Sequence, residues 1–210
     1  MRIMSKRLTR SIRFAGLFLV GTAMLTPFGR AQAPVYEITP VSSSVVFNVK
    51  SSVSITGKFD KWDSTLVFTS PDIKTGVLDI KIQAASVDTG SGMKNGKLKS
   101  KDFFDVENNP LITFHSTKIV QTSPAVAGQP INFEIDGDFT IRGVTKPEKL
   151  VLVVFGYGTG AGEIKGTMAF DRKDYGIDGS IPFIKIADRV EVTVDLKAKR
   201  ISGAAPKLQQ

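Results

Sequence analysis

The feature that most constrains the fold is an alternation of apolar and polar residues with a period of two. In the segment GVLDIKIQ, Leu78, Ile80 and Ile82 fall on one side of an extended chain, and Asp79 and Lys81 fall on the other. This pattern predicts β-strands with one face buried and one face in water, as in antiparallel sheets. Eight segments fit a strand: 43–52, 64–70, 76–86, 110–120, 131–143, 149–155, 163–172 and 188–200. All of them alternate except 149–155, which is apolar on both faces.

Clusters of glycine, proline and asparagine separate these segments, as is typical of turns between strands. The apolar faces of the strands must meet each other, either in a two-sheet sandwich or in a closed barrel. A barrel of about eight strands has an interior that is filled by side chains or holds one small ligand. The pattern therefore predicts an all-β fold, with sandwich and barrel both open.

The first 31 residues have the composition of an export signal. Residues 1–13 carry five basic side chains and no acidic one, residues 14–28 form an apolar run, and the small residues of GRAQA follow. This order predicts a signal peptide over 1–31, cut near 31–33, and an exported protein. An uncleaved anchor is the alternative, although the run is shorter than the roughly 20 residues of a membrane span. After cleavage we expect no stable membrane insertion.

The net charge of +8, from 28 basic and 20 acidic residues, depends largely on this N-terminal segment. Six basic residues and no acidic residue precede the cut, so the remaining charge is 22 − 20 = +2. Nucleic-acid binding needs a basic stripe on the folded domain, so the charge does not indicate it. The absence of cysteine excludes disulfides, thiolate nucleophiles and cysteine-ligated metals.

Residues suited to catalysis are few. His115 is the one histidine, and Ser116 beside it points to the opposite face of the strand, so His115 cannot activate that hydroxyl. A single histidine without cysteine needs several carboxylates to complete a zinc site. We therefore predict no catalytic residue, no metal and no cofactor beyond a bound ligand.

A polar segment rich in glycine and lysine interrupts the strands within 86–117. It contains apolar residues outside any predicted strand, among them Leu98, Phe103 and Phe104. A short helix over 94–104 would turn Leu98 and Phe103 toward a barrel mouth and leave its lysines in water. The segment is thus predicted to be a lid.

Six pieces of the sequence form a recognisable set: YEITPVSSSVVFNVK (36–50), ITGKFDKWDSTLVF (55–68), SVDTG (86–90), LKSKDFFDVENNPLITFHST (98–117), GDFTIRGVTKP (137–147) and FDRKDYGI (170–177). In order and spacing they resemble the signature of the YceI-like, polyisoprenoid-binding family over about residues 36–200. The resemblance implies an eight-stranded antiparallel, lipocalin-like barrel with a short helix or lid. It also implies a periplasmic location and an elongated apolar cavity that holds an isoprenoid chain or an isoprenoid quinone.

One departure concerns the lid. Family members often carry an Arg-Asp pair and then His-Leu after the TG dipeptide, where this chain has Lys94-Asn95 and Lys97-Leu98. If the Arg-Asp pair orders the loop or contacts a ligand headgroup in the family, that role is weakened in this chain. The expected domains are the signal peptide, a barrel over 34–203 and a flexible tail over 204–210.

The predicted function is binding, transport or storage of a long-chain isoprenoid lipid or quinone, with a homodimer possible. The alternatives are an envelope stress-response protein without an obligatory ligand, and an enzyme on a small apolar substrate that depends on an acid such as Asp88 or Asp174. The predicted headgroup residues are Asp88, Thr89, Lys94 and Lys97. The predicted lipid-binding residues are Phe47, Leu78, Ile80, Leu98, Phe103, Phe114, Phe133, Phe139, Met168 and Phe170.

Overall fold

The computed structural model describes residues 32–52, 55–180 and 184–210, without the side chains of 39–41 and 51. The signal peptide predicted for 1–31 lies outside these residues. The described part contains ten β-strands, one α-helix and three short 3₁₀ helices. The helix α1 spans Gly92–Lys99. The strands are β1 (Val35–Ser51), β2 (Ile55–Phe59), β3 (Trp62–Phe68), β4 (Gly76–Gln83), β5 (Val87–Asp88), β6 (Leu111–Gln121), β7 (Ile131–Ile141), β8 (Val144–Phe155), β9 (Ala161–Asp171) and β10 (Ile186–Ser202).

These ten segments form a closed barrel of eight strands, because two strands are each interrupted once. β2 continues into β3 across Asp60 and Lys61, and β4 continues into β5 across a 3₁₀ helix at Ala84–Ser86. At this level the Asp60 N–H donates to the Ser86 carbonyl, 3.2 Å, and the Gln83 N–H donates to the Lys61 carbonyl, 2.9 Å. Counted in this way, each of the eight barrel strands pairs antiparallel with its neighbours along the chain. β10 pairs with β1 and closes the barrel, so the predicted barrel with one short helix is confirmed.

The alternation of the sequence becomes the inside and outside of this barrel. On β7, for example, Phe133, Ile135 and Phe139 are buried, whereas Asn132 and Asp138 are exposed. Burying such a side chain stabilises the fold by about 1.5–3 kcal/mol. Gly137 occupies the inward-facing position between Ile135 and Phe139, and the ring of Phe114 from β6 fills the space that a side chain at this position would need.

Several strands begin earlier in the chain than the apolar pattern indicated. β1 begins at Val35, before the predicted start at 43, and β2 was not predicted as a strand. β8 begins at Val144, five residues before the apolar run. The reason is the tight turn at Arg142 and Gly143, whose φ angles of 53° and 74° suit a two-residue type I′ hairpin. The turn fixes the register of β7 and β8, so the polar residues after it continue the ladder.

The helix differs from its predicted span of 94–104, because it begins at Gly92 and ends at Lys99. Ser100 stops it: the Ser100 hydroxyl donates to the Lys97 carbonyl at 2.7 Å. The chain then turns, and the Phe104 N–H donates to the Leu98 carbonyl at 3.0 Å. As a result Leu98, Phe103 and Phe104 are all buried, as a lid requires.

The two ends of the barrel are built differently. The lid end carries the lid segment, residues 89–110, together with the turn at 142–143 and the described connecting residues 172–180 and 184–185. The strap end carries the connections 69–75, 122–130 and 156–160, together with the last eight residues, 203–210, here called the strap.

Candidate functional site

The barrel encloses two apolar cavities, one toward each end. Cavity A lies at the strap end and has a volume of about 110 Å³. Cavity B lies under the lid segment and has a volume of about 80 Å³. Apolar cavities of this kind suit an apolar ligand, because water gains few hydrogen bonds inside them.

The structure brings most of the predicted lipid-binding residues to these cavities. Leu78, Ile80 and Phe133 line cavity A. Leu98 and Phe103 from the lid segment line cavity B, as do Phe47, Phe139 and Phe170. The two remaining residues, Phe114 and Met168, line neither cavity.

Phe114 and Met168 lie at the boundary between the cavities. The cross-strand neighbours of Phe114 are Ile80, which lines cavity A, and Phe139, which lines cavity B. Met168 lies opposite Val192, which lines cavity B. Two residues before Met168 on the same strand, Gly166 lies opposite Val194, which lines cavity A. Their side chains are 5% and 7% exposed, so they form an apolar waist that separates the two spaces.

The lid segment is anchored by aromatic packing and by hydrogen bonds from two neighbouring loops, one of them from the Gly179 N–H to the Asp102 carbonyl at 3.1 Å. The Phe104 ring lies 6.4 Å from the ring of Phe47 and 6.0 Å from that of Phe59. The Arg142 guanidinium donates to the Lys101 carbonyl at 2.9 Å. These contacts close cavity B from above.

Two of the predicted headgroup residues hold the helix in place. The Asn95 side-chain oxygen accepts from the Thr89 N–H at 2.8 Å and from the Thr89 hydroxyl at 2.7 Å. The Asn95 amide donates to Asp88 at 3.2 Å, and the Gly90 N–H donates to the same carboxylate at 2.9 Å. These two donors hold the pKa of Asp88 below its usual range. Asn95, where family members often carry Asp, therefore orders the loop.

The other two headgroup candidates are lysines with different surroundings. Lys97 pairs with Asp102 at 2.8 Å and lies 5.6 Å from the centre of the Phe103 ring. The hydrogen bond and charge of Lys97 lower the pKa of Asp102. Lys94 lines cavity B, and it forms no ion pair with the described residues, which include every Asp and Glu of the chain. Lys94 is thus the one candidate of the four that faces a cavity without such a partner.

The mouth of cavity A contains three polar side chains that sequence reasoning missed. Tyr36 and Arg200 are cross-strand neighbours on β1 and β10, and both line the cavity together with Tyr157. The pKa of Tyr36 is raised, chiefly by burial, while the charge of Arg200 acts in the opposite direction. The signal was available: Val194, Leu196 and Ala198 point inward, and the same alternation turns position 200 inward.

The strap lies across this mouth. The Tyr157 hydroxyl donates to the Pro206 carbonyl at 2.5 Å, and the Lys207 N–H donates to the Pro71 carbonyl at 2.6 Å. The Gln121 amide donates to the Gln209 carbonyl at 2.7 Å. Pro206 is buried and lines cavity A. The segment 204–210, predicted to be a flexible tail, is thus hydrogen-bonded over the cavity.

Two further side chains, Arg172 and His115, have partners among the described residues. Arg172 is buried at the lid end and donates to the backbone carbonyls of Ile177, Gly179 and Ala187. His115 contacts Asp79 at 2.7 Å on the outer surface. Within the described part of the chain, no cluster of three or more potential metal ligands is found. Among the same residues, no helix has the length and apolarity needed to span a membrane.

Comparison with known proteins agrees with this architecture. The model of the YceI-like domain family matches residues 36–198. The chain belongs to the YceI-like domain family. Residues 36–198 cover most of the barrel from β1 to β10, with the lid segment and the lining of cavity B, whereas Arg200 and the strap residues that line cavity A lie beyond the match.

Relatives and solved structures extend the comparison. A UPF0312 protein of Pseudomonas savastanoi pv. phaseolicola is 29% identical over 178 residues, which cover 80% of this chain and 89% of the relative. BcnA of Burkholderia cenocepacia superposes with a TM-score of 0.65 at 23% identity, covering 77% of this chain and 99% of its own. A polyisoprenoid binding domain from Saccharophagus degradans, implicated in plant cell wall breakdown, gives 0.63 at 16% identity, covering 79% and 98%. At these identities the two structures show a shared fold.

Proposed function

We propose that this protein binds a long-chain isoprenoid lipid or isoprenoid quinone inside the barrel and carries or stores it in the periplasm. The observation that carries the proposal is the pair of apolar cavities in line along the barrel interior. Membership of the YceI-like domain family supports it, as does the likeness to a polyisoprenoid binding domain. The export signal predicted in residues 1–31 supports the location.

The energetics of such binding depend on the chain of the ligand. Each buried CH₂ group contributes about 0.8 kcal/mol, so ten buried carbons contribute about 8 kcal/mol. Ordering the chain and losing its translational freedom offset part of this gain. Micromolar affinity corresponds to about 8 kcal/mol, so burial of three or four isoprene units reaches it.

The surroundings of the two acids considered for an enzyme fit a binding protein better than a catalyst. Asp88, one of the acids considered for an enzyme, accepts hydrogen bonds from Gly90 and Asn95 and thereby orders the lid segment. Asp174, the other acid, lies 3.6 Å from Lys146 in an exposed ion pair. Neither acid lines cavity A or cavity B, so neither is positioned to act on an apolar ligand there.

The test is to identify the lipid that the protein holds in its own cell. The full chain is expressed in its natural host, purified without detergent from the envelope fraction, extracted with organic solvent and examined by mass spectrometry. We expect one isoprenoid lipid or quinone at close to one molecule per protein. An extract without isoprenoids, from protein that also fails to bind geranylgeraniol after purification, would contradict the proposal.

A further inference from the structure

We propose that the headgroup of the ligand is anionic, of the phosphate class, and that Arg200 binds it at the strap end of the barrel, with Tyr36 and Tyr157 beside it. The proposal rests on the lipid-binding function above and assigns the headgroup to one end. It replaces the lid-end headgroup residues that the sequence suggested.

The position of Arg200 is the first part of the argument. Val194, Leu196 and Ala198 point into the barrel from β10, and Arg200 continues this inward face at the mouth of cavity A. The neighbouring Lys199 is exposed on the outer face. A cation at the end of an apolar wall is the arrangement that fixes the polar end of an amphipathic ligand.

The second part is the lack of an acid partner. Within the described residues, which include all 20 acidic residues, none forms an ion pair with Arg200. Its side chain also makes no hydrogen bond to the described residues, although its backbone N–H donates to the Gly160 carbonyl at 2.8 Å. A guanidinium presents a planar set of donors that fits phosphate oxygens in pairs.

The third part is the contrast with the lid end. Asp88, Thr89 and Lys97 are already engaged within the lid segment. Lys94 lines cavity B among side chains that are otherwise apolar, apart from Arg172, whose guanidinium is bonded to backbone carbonyls and to Asp188. The strap end, by contrast, adds the Tyr36 hydroxyl to the Arg200 cation at one mouth, while the Tyr157 hydroxyl beside them donates to the Pro206 carbonyl.

The test compares three matched variants, Arg200→Gln, Lys199→Gln and Lys94→Gln, each of which removes one positive charge. Binding of geranylgeranyl phosphate and of geranylgeraniol is measured by calorimetry. We expect Arg200→Gln to weaken phosphate-ester binding at least about tenfold, because a charge-assisted hydrogen bond is lost, and to leave alcohol binding unchanged. Lys199→Gln should bind both ligands as the wild type does, and Lys94→Gln should keep the wild-type ratio of phosphate-ester affinity to alcohol affinity.

The outcomes separate this inference from the proposed function. If Arg200→Gln binds the phosphate ester normally, or if Lys94→Gln is the variant weakened for the phosphate ester alone, the assignment is wrong and lipid binding still stands. If the wild type binds neither ligand, both proposals fail. Inorganic phosphate should not displace the ester at equal concentration, and displacement would indicate a site for free phosphate instead of a lipid.

A different observation concerns the outer surface of the strap end. Among the described residues, nine large apolar side chains are exposed, and six of these lie at this end: Val35, Val67, Val126, Phe155, Tyr157 and Ile201. The connections at the strap end, with the strap, contain three charged residues, Asp72, Lys74 and Lys207. The lid-end connections defined above contain thirteen.

From this asymmetry we infer that the strap end docks on an anionic lipid bilayer. Exposed aromatic and aliphatic side chains on strand ends and nearly uncharged loops favour the boundary between headgroups and acyl chains. The cations at this end, Lys74, Lys197, Lys199, Arg200 and Lys207, outnumber the acids Glu37, Asp72 and Glu163 and complement anionic headgroups. In this orientation the mouth of cavity A faces the acyl chains of the bilayer. A lipid chain then passes from the bilayer into the barrel without contacting water.

Vesicle flotation tests the docking. Vesicles of phosphatidylethanolamine with phosphatidylglycerol are compared with vesicles of phosphatidylcholine. We expect the wild type to prefer the anionic vesicles, and Val126→Ser with Ile201→Ser to reduce its partitioning at least about tenfold. The control, Met93→Ser with Leu111→Ser, removes two apolar side chains away from the strap end and should have no effect. Equal partitioning of both double variants overturns the inference, as does a stable dimer that only the strap-end variant dissociates.

Discussion

Replacing Ala198 by Leu should stabilise the protein and weaken ligand binding at the same time. Ala198 is 7% exposed, lines cavity A and lies opposite Gly162 on β9, which has no side chain to obstruct a larger neighbour. Leucine adds three carbons, and three buried carbons contribute about 2.4 kcal/mol at about 0.8 kcal/mol each. Fixing the leucine rotamer costs about 0.5–1 kcal/mol, so the expected net gain is about 1.5 kcal/mol.

A gain of this size raises the melting temperature by about 3–6 °C in a chain of this length. The free energy of unfolding is measured by urea titration, followed through the fluorescence of the single tryptophan, Trp62, which is buried. The new side chain occupies space that the ligand would fill, so the affinity for geranylgeraniol should fall about 10- to 50-fold.

Ala84→Leu is the matched control. Ala84 is 1% exposed and lines neither cavity, so the same enlargement overpacks the core and should cost about 1–3 kcal/mol. If Ala198→Leu destabilises the protein as much as Ala84→Leu does, the space beside Ala198 is filled and the reasoning is refuted.

Three further predictions concern the lid, the waist and pH. Asn95→Ala removes the acceptor of two Thr89 hydrogen bonds, so hydrogen exchange in helix α1 should accelerate about tenfold or more while exchange in the strands stays the same. Gly137→Ala brings a Cβ within 2.5 Å of the Phe114 ring and 2.7 Å of the His115 carbonyl, so unfolding by urea should show a loss of about 1–3 kcal/mol. Burial raises the pKa of Tyr175 in the folded state, helped by its hydrogen bond to Glu148. The unfolded chain therefore releases this proton first, so the contribution of Tyr175 to stability should be constant below pH ~10 and fall above it by up to about 1.4 kcal/mol per pH unit. Tyr175→Phe should flatten this decline in urea titrations between pH 9 and 11.5, and an unchanged slope would contradict the assignment.

The barrel was predictable because its physical signal is local. Each strand shows its buried face in its own alternation, as Ile80 and Asp79 do on β4, and eight such faces have few ways to cover one another. The start of β8 was not predictable from hydrophobicity, since its first residues are polar and the hairpin at Arg142 and Gly143 sets their pairing.

The apolar residues that line the candidate site could be predicted from the sequence, whereas the residues at the two ends of the barrel were harder to predict. Apolar wall residues such as Leu78 and Phe139 follow directly from the alternation. The division into two cavities depends on which large side chain fills the centre, and Phe114 does so because Gly137 leaves room for its ring. That pairing across strands has no local signature. The strap was missed for a similar reason: AAPKLQQ resembles a frayed end, and its order comes from hydrogen bonds to Tyr157, Gln121 and Pro71, which are distant in sequence.

The central claim is that the barrel interior accepts an apolar chain, and a crystal structure of the protein with geranylgeraniol tests it most directly. We predict continuous electron density for the chain in cavity A, beside Ile80 and Leu196, with the ring of Phe114 displaced where the chain enters cavity B. Density confined to the outer surface, with both cavities unchanged at millimolar ligand, would contradict the claim.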